Sequence, residues 1–147
     1  MMKSDIDRVE KAGELFEEGY NCCQAVFCAY SDLFGFDFET ALKISAGFGG
    51  GFGRMREVCG AFSAVTMLSG LKRESAGTED KADIYLQIRN LAEKFKNENG
   101  SIICRELLDV ESAPKSHIPQ ERNGEYYKKR PCKEIVIEAA KIVETFI

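Results

Sequence analysis

The sequence predicts an all-α fold: a compact, single-domain helical bundle of about six to seven helices, broken by one glycine-rich loop. Three observations predict it. Apolar residues recur at three- and four-residue intervals through most of the chain. Capping residues and glycines punctuate those intervals at helix-length spacing. No segment shows the period-two alternation of a half-buried strand, and no internal repeat is present. At 147 residues the chain fits one domain spanning 1–147. A domain of that size buries roughly 68–70% of its unfolded surface, enough to fold without disulfide staples.

The elements follow in order. From Asp5 to Glu17, the residues Ile6, Val9, Ala12, Leu15 and Phe16 form one apolar face, and Gly19 stops the helix. Asn21 is an N-cap for a second helix, Cys22 to Leu33, ended by Gly35. Asp37 or Phe38 opens a short third helix through Ser45, and the glycine-rich stretch Gly47 to Arg54 follows. A fourth helix runs from about Val58 to Ser69, with Gly70 at its end. Thr78 caps a fifth, whose stripe is Ile84, Ile88, Leu91 and Phe95, with Glu79 and Asp80 suited to the positive end of the helix dipole. Asn99-Gly100 closes it, and Ser101 caps a short helix through Leu108. Glu111 to Arg130, broken by Pro114, Pro119 and Gly124, reads as loop. Pro131 is the first residue of a last helix with Ile135, Val136, Ala139, Ile142, Val143 and Phe146 inward.

Composition narrows function. Twenty basic residues against twenty-four acidic ones give a net charge of −4, without the basic face that nucleic acid or a membrane surface requires. The first residues hold no apolar signal segment, and no apolar run approaches the ~18 residues of a membrane span. The expectation is a soluble cytoplasmic protein that neither binds nucleic acid nor inserts into a membrane. A homo-oligomer is compatible with this reading.

Six cysteines are the unusual feature. They fall well short of the ~8–10% of disulfide scaffolds, and in a reducing compartment such thiols are metal-binding, catalytic or packed in the core. His117 is the sole histidine, so a Cys–His nucleophilic pair would have to use it, and a two-histidine zinc site is impossible within one chain. Cys22, Cys59, Cys104 and Cys132 all fall in or near a predicted helical first turn. There, free N–H groups and the helix dipole stabilise a thiolate. No CxxC occurs, so zinc ribbons and ferredoxin loops are excluded, and a shared site must be assembled by tertiary packing. Cys23 and Cys28 are assigned to packing. The face Cys59, Ser63, Thr66 and Gly70 is made of small residues and reads as a close helix–helix approach. The glycine loop lacks the dinucleotide and P-loop patterns; Arg54 and Arg56 could meet an anion there, but the loop reads chiefly as a path needing φ > 0 that delivers Cys59 into the core.

The segments Asn21-Cys22-Cys23-Gln24-Ala25-Val26, Gly47-Phe48-Gly49-Gly50-Gly51, Cys59-Gly60-Ala61-Phe62-Ser63-Ala64 and Gly100 to Leu108, with Cys132, resemble the C_GCAxxG_C_C family of small redox-active proteins over almost the whole chain. The resemblance puts the family's four defining cysteines on Cys22, Cys59, Cys104 and Cys132. One departure is visible: Ala64 stands where the central motif has glycine. A related domain occurs in split-Soret cytochromes, which implies a scaffold compatible with electron transfer, although covalent haem is excluded because no CxxCH occurs.

The expectation is therefore a redox protein with four convergent cysteines. The four thiolates either ligate an iron–sulfur cluster or cycle between dithiol and disulfide with an unknown redox partner. The alternatives are a structural four-cysteine zinc site and a helical interaction protein without redox role. Whether the protein is an enzyme stays open, since no general base stands out. Cys132, after a long loop and beside Lys128, Lys129, Arg130 and Lys133, is expected to be the most reactive thiol.

Overall fold

The computed structural model describes residues 6–109, 116–123 and 131–147. Among these residues are seven α-helices: α1 (Arg8–Glu17), α2 (Cys22–Tyr30), α3 (Phe38–Ser45), α4 (Gly60–Lys72), α5 (Lys81–Asn99), α6 (Cys104–Leu107) and α7 (Cys132–Glu144). The fold is all-α, as the sequence predicts. Among the described residues the one β pairing is an antiparallel bridge between Val58 and Ile103. None of the described helices is long and apolar enough to cross a membrane.

α2 is the axis of the bundle. Its seven residues Cys23 and Ala25–Tyr30 are all buried, because α1, α3, α4 and α7 pack round it. That surround explains why Cys28 is buried although it points away from the face formed by Ala25, Val26 and Ala29. Tyr30 is fully buried, and its hydroxyl donates to Glu144 Oε2 at 2.7 Å and contacts the Ala140 carbonyl at 3.2 Å. Those bonds tie α2 to the last helix and satisfy a polar atom that would otherwise be costly to bury. Arg8 anchors the other side, donating to the Ala29 carbonyl and, bidentately, to Asp32.

Several predicted boundaries move. α1 begins at Arg8 with Asp7 as its cap, accepting from the Glu10 amide. Ile6 precedes the helix and is exposed instead of inward, and the predicted start at Asp5 lies outside the described residues. The second helix tightens after Tyr30 into a 3₁₀ turn, Ser31–Phe34, before Gly35 in the left-handed region. That change of pitch turns Leu33 outward. α4 starts at Gly60 and runs through Gly70 to Lys72, since the packing of its apolar residues outweighs one glycine's weak helix preference. Thr78–Asp80 is a 3₁₀ turn, and the Asp80 carboxylate accepts from the Gly77 amide. Ser101 does not cap α6: residues 102–103 are drawn into the bridge with Val58, and the helix starts at Cys104. Pro131 is the N-cap of α7, not its first residue. Of the long loop, residues 116–123 are irregular; Pro114, Gly124 and the cations 128–130 lie outside the described residues.

α5 is the bundle's outer helix, sharing only Leu91 and Phe95 with the core, while Tyr85 and Leu86 are exposed. The expected outcome in urea unfolding is that Leu68→Ala, which empties a fully buried position of α4, costs about 2–5 kcal/mol. Leu86→Ala is expected to stay within about 0.5 kcal/mol of the parent.

Candidate thiol site

Each of the four cysteines singled out in the sequence stands at the start of a helix. Cys22, Cys104 and Cys132 are the first residues of α2, α6 and α7, and Cys59 is the N-cap of α4. The local causes differ. At α2 a reciprocal capping box fixes the start: the Asn21 carboxamide accepts from the Gln24 amide, and the Gln24 side chain accepts from the Asn21 amide. Before α4, the Val58–Ile103 bridge sets the geometry. The Cys59 amide donates to the Ile102 carbonyl at 2.8 Å, and the Cys104 amide to the Glu57 carbonyl at 2.6 Å. Residues alternate faces in such a pair, so Cys59 and Cys104 leave it on the same side. Cys104 thereby enters the site as a partner of the loop before α4.

The glycine loop closes the site from above. Gly50, Gly51, Phe52, Gly53 and Arg54 are successive residues with positive φ, between 53° and 68°, a left-handed turn that L-residues adopt at a cost of roughly 1–2 kcal/mol each. Two of the five are not glycine, and Phe52 is held by an edge-on contact with Phe48, ring centroids 4.5 Å apart. A side chain on Gly51 would meet Cys104 Cβ at 2.7 Å. The loop does deliver Cys59 into the core, where it is 6% exposed.

All four cysteines line one cavity of about 70 Å³, together with Asn21, Gly50, Arg56, Arg122, Phe16 and Ile135 among others. That space holds several water molecules. Cys22 and Cys132 are half-buried, and Cys59 and Cys104 are buried. No cysteine is in a disulfide. Cys23 is fully buried and Cys28 nearly so; neither lines the cavity, and burial raises the pKa of both.

Cys22 and Cys59 influence each other's ionisation. The Cys59 thiol donates a hydrogen bond to the Cys22 sulfur, which lowers the Cys22 pKa from the ordinary 9.0 to about 7 against the opposing effect of burial. Backbone amides of Ala61, Gly50 and Cys23 also face that sulfur. The Cys59 pKa moves well up, first because its proton is held by Cys22, then because it is buried. The proton of the pair is therefore held on Cys59 and the charge on Cys22. Gly60 makes the approach possible, since a Cβ there would lie 2.8 Å from Cys22 Sγ and 2.7 Å from the Phe48 carbonyl oxygen.

Two cations border the thiols. Arg56, 5% exposed, donates from Nη1 to Cys104 Sγ at 3.6 Å. Arg122 lies over the Phe16 ring, 4.1 Å from its centroid, and donates to the Phe16 and Tyr20 carbonyls at the end of α1. Arg56 is within the loop the sequence marks for an anion. Arg122 has no local signal, because long-range bonds to the end of α1 bring it here. The sequence argument ranks Cys132 first for its cations; of these Lys133 pairs with Glu17 at 2.9 Å, and the other three lie outside the described residues. Cys22 is half-buried and its pKa is lowered.

The four groups are thiols, which once deprotonated are of the type that ligates iron–sulfur clusters. Among the described residues no three His, Cys, Asp or Glu side chains gather closely enough to hold one ion.

Residues 20–146 match the family described as Putative redox-active protein (C_GCAxxG_C_C), and the chain belongs to that family. No curated protein and no solved structure matches it.

Two measurements test the site. With limiting iodoacetamide at neutral pH, mass-mapped labelling is expected to find Cys22 modified first; earlier modification of Cys132 reverses the assignment. Cys22 ionises near pH 7 when folded and near 9 when unfolded, so its thiolate stabilises the fold at high pH, and that contribution disappears as pH falls through 7. The thermal midpoint of the parent relative to Cys22→Ser is therefore expected to rise between about pH 6 and about pH 8.5. Cys23→Ala and Cys28→Ala are expected to lower stability by roughly 1–3 kcal/mol while leaving the Cys22 labelling rate unchanged.

Proposed function

We propose that this member of the C_GCAxxG_C_C family is a dithiol–disulfide redox protein in which Cys22 is the attacking thiolate and Cys59 the resolving thiol. One observation carries the reading: Cys22 and Cys59 line one cavity where the starts of α2 and α4 meet, so close that a Cβ on Gly60 would lie 2.8 Å from Cys22 Sγ. A thiolate attacks a disulfide in proportion to its ionised fraction and its nucleophilicity, and a pKa near ambient pH serves both. Cys22 is half-buried and reachable, while Cys59 lies behind it, the order that attack and resolution require.

The step balances as follows. The Cys22 thiolate attacks one sulfur of a substrate disulfide, forming a mixed disulfide and expelling one substrate thiolate. That thiolate takes up the proton Cys59 gives up. Cys59 then attacks Cys22 Sγ, the Cys22–Cys59 bond forms, and the second substrate thiolate leaves and takes a proton from water. Two electrons pass from the protein to the substrate, and an external dithiol reductant returns them. Hydrogen-bonded sulfurs need only close to about 2.05 Å for the bond.

The second reading, an iron–sulfur cluster, is favoured by the convergence of all four helix-start thiols on one cavity. Cys22, Cys59, Cys104 and Cys132 would hold it, and it would supply one-electron transfer.

Anaerobically purified protein treated with one equivalent of 4,4′-dithiodipyridine is expected to release two thiopyridones and yield a peptide-mapped Cys22–Cys59 bond. Cys59→Ser is expected to release one and to retain a mixed disulfide on Cys22. Bonds that join other cysteines sink the dithiol reading. So does a brown protein that contains iron and sulfide and loses its colour when any one of the four cysteines becomes serine.

A further inference from the structure

Next to the thiol cavity is a second hollow of about 340 Å³, within the ~300–1,000 Å³ typical of small-molecule sites. Asn21, Gly50, Arg56 and Arg122 line both spaces, so the hollow adjoins the cavity that Cys22 lines. Arg54, Arg56 and Arg122 supply its charge, His117 lies on its wall, and no Asp or Glu is among its described lining residues. The chain carries net charge −4, so a wall with arginines and no acids runs against its overall composition.

Arg56 is the decisive group. Its guanidinium is in a residue only 5% exposed, and its side chain meets Cys104 Sγ instead of a carboxylate. Glu57, the nearest acid in sequence, turns away and pairs with Arg105 at 3.1 Å. Burying a cation without a hydrogen-bonded anion is costly, and an anionic ligand in the hollow offsets that cost. Arg54 belongs to the left-handed turn, with φ 68°, and a guanidinium suits the planar, bidentate recognition of carboxylate and phosphate.

We propose that this hollow binds the anionic oxygens, carboxylate or phosphate, of a low-mass disulfide whose sulfurs then reach Cys22. The proposal rests on the dithiol reading for its redox part and on the arginine wall alone for its binding part. It gives the thiol pair a substrate class: small, negatively charged disulfides, in preference to neutral or cationic ones.

The binding part is tested without thiol chemistry. Reduced full-length protein is titrated calorimetrically with inorganic pyrophosphate and with S-methylglutathione, neither of which holds a disulfide. At least one is expected to bind one-to-one, more weakly as salt rises from about 50 to about 300 mM. Affinity is expected to fall about tenfold or more in Arg54→Gln, a half-exposed loop position, and in Arg56→Gln. Arg73→Gln, beyond the far end of α4, is expected to leave it unchanged. Pyrophosphate binding alone marks a phosphate-bearing substrate, and S-methylglutathione binding alone a carboxylate-bearing one. Binding of neither probe, or binding that Arg54→Gln and Arg56→Gln leave intact, overturns the proposal. In turnover with a dithiol reductant, glutathione disulfide is expected to exceed cationic cystamine about tenfold or more in kcat/KM; equal rates overturn the substrate class. No reduction of either disulfide, with pyrophosphate still bound, overturns the dithiol reading and leaves the anion site standing.

Discussion

The site depends on one close approach, the Cys22 sulfur against the backbone at the start of α4. A hydrogen in place of a side chain at Gly60 lets that sulfur reach the amides of the first turn and the thiol of Cys59. Any larger residue there would force apart two helices whose ends carry the positive dipole charge. The same contact sets the electrostatics. Free amides at a helix start act as a fixed partial positive charge, and the starts of α2 and α4 together offset the burial that otherwise raises a thiol's pKa.

The bundle is built to hold that contact still. α2 is enclosed by four helices and contributes almost nothing to the surface, so its first residue is held by a core that must repack before it can move. Tyr30 locks its far end to α7, and Arg8 locks it to the 3₁₀ turn that follows. The strain in the left-handed turn at residues 50–54 is held by the same surround. Amides of residues 52, 53, 54, 56 and 57 each donate to a carbonyl between residues 47 and 51, so the loop satisfies itself in a conformation its non-glycine residues resist.

Charge follows the same design. The cavity's cations are guanidiniums, which stay protonated across the pH range in which thiols titrate. One meets a sulfur and another rests on an aromatic face and helix-end carbonyls. Thiolate character in a partly enclosed space requires such an environment.

Local signals in the sequence determined the helices, the caps at Asn21 and Asp37, and the placement of the four cysteines at helix starts, because capping and periodicity are properties of neighbouring residues. Its core stripe holds on α7, and on α5 at Leu91 and Phe95. It misplaced Ile6, which precedes α1, and the end of the second helix and the start of α6, where a turn of tighter pitch and a long-range bridge overrode the local pattern. The pairing of Cys22 with Cys59, the entry of Cys104 through the Val58–Ile103 bridge and the arrival of Arg122 were decided only by tertiary structure. Each joins residues distant in sequence, and nothing in a chain's local chemistry states which helix start will face which.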